Sequence, residues 1–121
     1  IHCVRRMNKQ ALTQIFSEIS GCRVVEEKEH AETSWFGVPI IYDDGKHHLV
    51  KYLEDHGVQT RNYFAGNILM HPAYKHLDDP KNYPNACKVL DNVFFLGCSP
   101  VITMPMLDYI YDIVEKYELP R

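Results

Sequence analysis

The sequence lacks any apolar run that approaches a membrane span. Stretches such as Val93 to Leu96 fall far short of the roughly 18 consecutive apolar positions that a spanning helix needs. The amino end carries neither a signal-peptide pattern nor a lipidation site, so a cytoplasmic protein with no membrane partner is expected. An excess of positive charge is also missing: 13 Lys and Arg stand against 16 Asp and Glu, a net charge of −3. With no basic stripe to override that balance, nucleic acid is not an expected partner. Cysteine is sparse. Cys3, Cys22, Cys87 and Cys98 are separated by 19, 65 and 11 positions, which is neither a paired C-x-x-C metal site nor a compact disulfide framework. Reduced thiols are expected, with Cys98 serving as packing. Seven histidines are present, but they are scattered, and the adjacent His47 and His48 diverge on a helix, so no metal site is expected. Glycine-rich phosphate loops, G-x-S-x-G and H-E-x-x-H are all absent, and with them the most readable nucleotide, hydrolase and protease signatures.

What is present is a 121-residue chain, 45% hydrophobic and 24% charged, enough for a single domain with one core over residues 1–121. The chain opens on Ile1, not Met, and enters a helical pattern almost at once, as a piece of a longer protein would.

Helical spacing of Leu12, Ile15, Phe16 and Ile19, closed by Gly21, predicts an amphipathic first helix. Arg23 to Glu26 reads as a brief edge strand, followed by a charged connection. Ser34 to Tyr42 is dense in aromatic and β-branched residues and ends at the turn Asp43-Asp44-Gly45, a strong strand signal. Pro39 cannot donate to a ladder, which predicts an edge position or a bulge near Gly37. Lys46 to His56 brings Leu49, Val50 and Leu53 onto one helical face, and Val58 to Phe64 returns to an extended pattern, making a crossover unit. Asn85 to Asn92 reads as a short helix burying Ala86, Val89 and Leu90, and Val93 to Leu96 as a short buried strand. Thr103 caps a last helix with Pro105 in its first turn and a core stripe of Leu107, Ile110, Tyr111 and Val114. This order predicts an α/β sandwich: a small, mostly antiparallel sheet of three or four strands with helices packed on one face. A bare second face would call for polar residues or another domain, and Trp35, Phe36, Tyr42, Tyr63 and Phe64 favour the second.

Gln59 to Asn67 delivers a guanidinium, two aromatic rings and an amide to a glycine-containing turn. Arg61 suits a bidentate contact with a carboxylate or phosphate, Asn67 offers a donor and an acceptor to hydroxyls, and Gly66 permits close backbone approach. His71, held beside Pro72, is a further candidate for proton transfer or a sugar hydroxyl. A plainer reading pairs Arg61 with a surface carboxylate and uses Asn67 as a turn cap. The residues alone leave both open. The paired aspartates Asp43, Asp44, Asp78 and Asp79 read as solvated turn residues.

Four runs together carry a resemblance: S-W-F-G-V-P-I from Ser34, L-V-K-Y-L-E-D-H-G-V-Q-T-R-N-Y-F-A-G-N from Leu49, H-P-A-Y from His71 and V-F-F-L-G-C-S-P from Val93. The chain resembles the carboxy-terminal part of the DegT/StrS-type sugar aminotransferases over nearly its whole length, and most of all the branch of the lipopolysaccharide-biosynthesis CDP-4-keto-6-deoxyglucose 3-dehydrases. That resemblance implies the small domain of an aspartate-aminotransferase-like homodimer that closes over a nucleotide sugar, with pyridoxal or pyridoxamine phosphate (PLP or PMP) held by a large domain. It implies that Arg61 and Asn67 line the active-site cleft, with Phe64 and His71 as further candidates. It also implies that the cofactor lysine, or the histidine replacing it in dehydrases, lies outside this chain, as do the cysteines of any iron-sulfur cluster. On this reading the chain binds no cofactor and catalyses nothing alone, its hold on a nucleotide sugar is weak or absent without the large domain, and its exposed face drives dimerisation. The alternative is a free-standing nucleotide-sugar-binding or oligomerisation module.

Overall fold

In the computed structural model, which describes residues 1–120, apolar spacing sets the helices. Leu12, Ile15 and Phe16 are buried along one side of α1 (His2–Ser17), and Leu49 and Leu53 along α2 (Lys46–Asp55). Leu107, Ile110, Ile113 and Val114 do the same on α4 (Met104–Glu115), which carries Pro105 in its first turn. Tyr111, expected in that stripe, is exposed, and Ile113 is buried in its place. At about 100° per residue the two positions flank the stripe almost equally. On the Ile113 side α2 comes close, where Tyr52 Oη donates to Ile113 O at 2.8 Å.

Four strands, β1 (Cys22–Val24), β2 (Gly37–Tyr42), β3 (Arg61–Asn62) and β4 (Val93–Gly97), form one sheet in the order β1-β2-β4-β3, with every neighbouring pair antiparallel. Because β2 and β3 both run opposite to β4, they run parallel to each other, and α2 makes the crossover between them with β4 inserted in the gap. The extended segment predicted over Val58 to Phe64 pairs at only two residues.

Pro39 corrects the expectation of an edge strand or a bulge. β2 lies inside the sheet, and its register against β4 runs without a break from Gly37↔Gly97 to Ile41↔Val93. Pro39 is tolerated because it faces the end of the short β1: its carbonyl accepts from Val25 N at 3.0 Å, one residue past the last β1 pair, Val24↔Ile40. The N–H that proline lacks would have extended that ladder, so its absence ends β1 at no cost to β4.

One face of the sheet carries Val38, Ile40, Tyr42, Phe94 and Leu96, which join Cys98 and the inner stripes of α1, α2 and α4 in a continuous core. The result is the expected two-layer α/β arrangement with helices on one face. The remaining helix, α3 (Pro84–Asn92), packs less deeply, and Ala86, Val89 and Leu90 are half-buried, not core. It is held by the buried Lys46, whose Nζ donates to Leu90 O at 2.6 Å, where a cation also favours the negative helix end. Burial holds the Lys46 amine below its usual range, with Asp91 acting the other way. All four cysteines are free. Burial pushes the Cys22 thiol up to about 12, and Cys98 donates to Trp35 O at 3.0 Å inside the core.

Candidate functional site

Among the described residues no helix covers the second face of the sheet, and β-strand alternation decides which side chains stand on it. Pro39, Phe95 and Arg61 are direct cross-strand partners on β2, β4 and β3, so they form one row on this face. Gly37, at the start of β2, leaves the room that the Phe95 ring occupies: a Cβ there would sit 2.4 Å from Phe95 Cδ2 and 3.0 Å from Leu96 O. Three further rings close around Phe95. Phe36 lies 6.0 Å away and tilted, Tyr63 6.3 Å away and edge-on, and Phe64 is stacked at 5.9 Å. They bury Phe95 to 8% exposure, while Phe36 and Phe64 are themselves each 70% exposed.

Two depressions flank this cluster. A recess of about 220 Å³ lies over Gly37 and Pro39 between Phe36, Tyr63 and Phe64. A wider groove of about 680 Å³ is lined by Phe36, Phe64 and Phe95 together with Arg5, Gln59, Arg61, Asn62 and Ser99, and by no carboxylate among the described residues. Arg5 is anchored by a 2.9 Å hydrogen bond to Trp35 O. Arg61 is exposed and has no ion pair among the described residues. Two guanidiniums, two amides, a hydroxyl and exposed rings suit an anionic ligand that also carries a ring.

The turn after β3 positions one of these rings. Phe64 has φ +51° and Gly66 φ +62°, so a bulky residue is held in the left-handed region, as happens where surrounding structure over-determines the backbone. The close approach that Gly66 permits is to α3, since a Cβ would fall 2.7 Å from Leu90 Cβ. Asn67 is 2% exposed. Its Oδ1 accepts from Leu69 N at 3.1 Å, and its Nδ2 donates to Pro80 O and Cys87 Sγ, both at 3.3 Å. The Asn67 amide is therefore engaged in holding the loop, as a cap of the short 3-10 turn Ile68–Met70. His71 is exposed with Nε2 3.3 Å from Ala65 O. Of the four residues picked out from the sequence, the groove gathers Arg61 and Phe64, while Asn67 and His71 stand in the loop behind. Asp79 caps the next turn through Lys81 N, and Asp78 accepts from Asp79 N, Asn82 and Tyr83, an arrangement internal to the loop.

Two aromatics assigned to the bare face belong elsewhere. Tyr42 shares the parity of Val38 and Ile40 and is buried in the core. Trp35 touches only the margin of the small recess. Its Nε1 donates to Glu27 Oε1 at 3.0 Å, and Lys9 Nζ sits 5.0 Å from its ring centre. Glu27 also accepts from Thr33 N and Arg6. The Thr33 N–H, then Trp35 and the Arg6 and Lys9 charges, hold its carboxyl below the usual range against some desolvation. That hub fixes the approach to Phe36. Sequence reasoning missed Arg5, Phe95 and Ser99 as groove residues. Strict alternation within Val93 to Leu96 could have separated Phe95 from Phe94, whereas nothing local marks Arg5, 56 positions before Arg61.

Among the described residues no group of three or more His, Cys, Asp or Glu side chains is placed to hold a metal, and no helix is long and apolar enough to cross a membrane.

A family model described as the DegT/DnrJ/EryC1/StrS aminotransferase family matches residues 2–115. The chain is 32% identical over 119 residues to the dTDP-4-dehydro-2,6-dideoxy-D-glucose 3-dehydratase of Saccharopolyspora spinosa, covering 93% of this chain and 26% of that protein. It is 30% identical over 99 residues to the lipopolysaccharide biosynthesis protein RfbH of Salmonella typhimurium, covering 77% and 22%. The chain thus spans about a quarter of the length of the curated relatives it matches. Among solved structures, the GDP-4-keto-6-deoxy-D-mannose-3-dehydratase of E. coli, determined with bound hydrated PLP, superposes with a TM-score of 0.73 at 27% identity over 93% of this chain and 30% of that one. The aminotransferase TlmJ from Streptoalloteichus hindustanus superposes with a TM-score of 0.81 over 95% and 31%, but at 19% identity it speaks to the fold alone.

Proposed function

Because the chain belongs to the DegT/DnrJ/EryC1/StrS aminotransferase family, we propose that it is the carboxy-terminal small domain of a PLP- or PMP-dependent nucleotide-sugar 3-dehydratase or aminotransferase of lipopolysaccharide or deoxysugar biosynthesis. In this reading the bare sheet face closes over the nucleotide sugar. The observation that carries it is the groove, in which the exposed Arg61 stands in one cross-strand row with Phe95 and no carboxylate neutralises it.

Each groove residue then has a definable task. The Arg61 fork takes a phosphate or carboxylate oxygen pair in two parallel hydrogen bonds, and Arg5, already oriented by Trp35 O, adds a second positive charge at the same wall. Phe36 and Phe64 offer flat apolar faces to a ring and displace water around the charged contact, which strengthens it. The left-handed turn at Phe64 and the buried Asn67 amide fix where that ring stands.

Bound cofactor supplies an electron sink in such enzymes, but the groove residues do not fit that group. No lysine lines the groove, and the buried Lys46 amine is committed to Leu90 O. The cofactor and the residue that holds it are therefore assigned to the rest of the enzyme. A free-standing binding or oligomerisation module is the second reading, favoured by the exposure of Phe36 and Phe64, which leaves apolar rings in water unless something covers them. Both readings place a dimer contact on this face, and sedimentation of a clean monomer at tens of micromolar would count against it.

The test is calorimetric titration with dTDP-, CDP- and GDP-linked sugars, alongside the Arg61→Ala variant. Saturable binding that weakens by roughly tenfold or more in the variant, with unchanged circular dichroism, supports the groove as a nucleotide-sugar site. Equal affinity in both proteins removes Arg61 from it.

A further inference from the structure

We propose that the cavity between the carboxy-terminal ends of α1 and α4 is a binding site for a small alkylammonium cation. It lies beside Tyr42, at the other end of β2 from Gly37 and on the opposite face of the sheet from the groove, so it is independent of the function proposed above. Its volume is about 460 Å³, within the general range of small-molecule sites.

Three kinds of group in its lining favour a cation. The rings of Tyr42, Tyr111 and Tyr117 form aromatic walls, with Tyr42 and Tyr117 meeting edge to face at 6.5 Å, and the face of such a ring attracts an ammonium group. The carboxylates of Glu18 and Glu115 also line it, and among the described residues no basic side chain does. Finally, two helices of 16 and 12 residues end here without a basic residue in either last turn, so their negative dipole ends add to the carboxylates. Lys116 caps α4, but it is exposed and lies outside the lining. The Tyr117 hydroxyl is buried with no hydrogen-bond partner among the described residues. Apolar rings joined to two carboxylates fit a ligand with a short alkyl body and one positive head, supplied by a free amine or by a lysine side chain of another polypeptide.

The experiment is a two-dimensional amide NMR titration of the protein with butylammonium chloride, with butanol as the neutral isostere and acetyl-lysine amide as the peptide-borne version. Saturable shifts confined to the α1 and α4 ends and Tyr42 are expected with both cations and not with butanol. Tighter binding of acetyl-lysine amide assigns the site to a polypeptide lysine, and tighter binding of butylammonium to a free amine. The paired changes Glu18→Gln and Glu115→Gln, both at exposed positions, are expected to weaken binding roughly tenfold. Tyr111→Leu, which keeps the apolar area, is expected to weaken it roughly threefold. The proposal is overturned by an equal response to butanol, by affinity that ignores the loss of both carboxylates, or by the absence of any saturable shift.

Discussion

Phe94 and Phe95 are neighbours of identical chemistry on the same strand, and they serve opposite faces of the sheet. Phe94 is wholly buried among the inner stripes of α1, α2 and α4. Phe95 is nearly as well buried, but by Phe36, Tyr63 and Phe64, and two of those three rings are mostly in water. The helix-covered face is closed by the packed stripes of α1, α2 and α4. The bare face is closed by side chains alone, one of them, Phe64, on a turn with positive φ, beside a guanidinium with no ion pair among the described residues. A face built that way keeps its shape for something that has yet to arrive, and this difference separates the part of the molecule that folds it from the part that is free to bind.

The comparison is sharpest at Phe94. Phe94→Ala should cost about 3–5 kcal/mol of stability, read as a lowered urea midpoint with an unchanged slope; a loss under 1 kcal/mol would mean that the helix-covered face is not the main core. Gly37→Ala comes next. Its methyl group would meet the Phe95 ring and the Leu96 carbonyl, and a cost of about 1–3 kcal/mol is expected. A neutral result would show that the aromatic cluster on the bare face is loose, not packed.

A smaller effect concerns Glu27, whose folded-state pKa is lowered. A group depressed on folding contributes stability above its unfolded pKa and loses it as pH falls through the folded value. Stability should therefore decline below the ordinary carboxylate range, and Glu27→Gln should flatten part of that decline in urea titrations run from neutral to acidic pH. An unchanged acid profile would take Glu27 out of the linkage. The smallest effect is expected at Phe64, where Phe64→Ala should alter stability by about 0.5 kcal/mol or less while weakening nucleotide-sugar binding. A loss comparable with that at Phe94 would erase the distinction between the two faces.

Much of the fold was legible because it rests on local periodicity. The stripes of α1 and α2, the strand ending at Tyr42, the turn at Asp43 to Gly45 and the crossover to Arg61 follow from spacing and turn chemistry that each segment carries within itself. The readings that changed involve a decision between near-equal local choices. Ile113 is buried where Tyr111 was expected, on the side of α4 that Tyr52 of α2 reaches. Pro39 entered an interior strand because β1 stops at Val24. Of the candidate site, Arg61 and Phe64 were legible as a motif, whereas the commitment of Asn67 to Pro80, Cys87 and Leu69 depends on partners up to 20 residues away.

By itself the sequence determined which segments are helix or strand, that the chain holds one small core, and that a guanidinium and aromatic rings enter a single turn, because each of these follows from the residues within a few positions of one another. Only the tertiary structure decided which rings face water, that Arg5 joins Arg61 in one groove, and that Gly37 is the space in which Phe95 lies. Those facts depend on strand order and register, which bring together residues that nothing in the local chain relates.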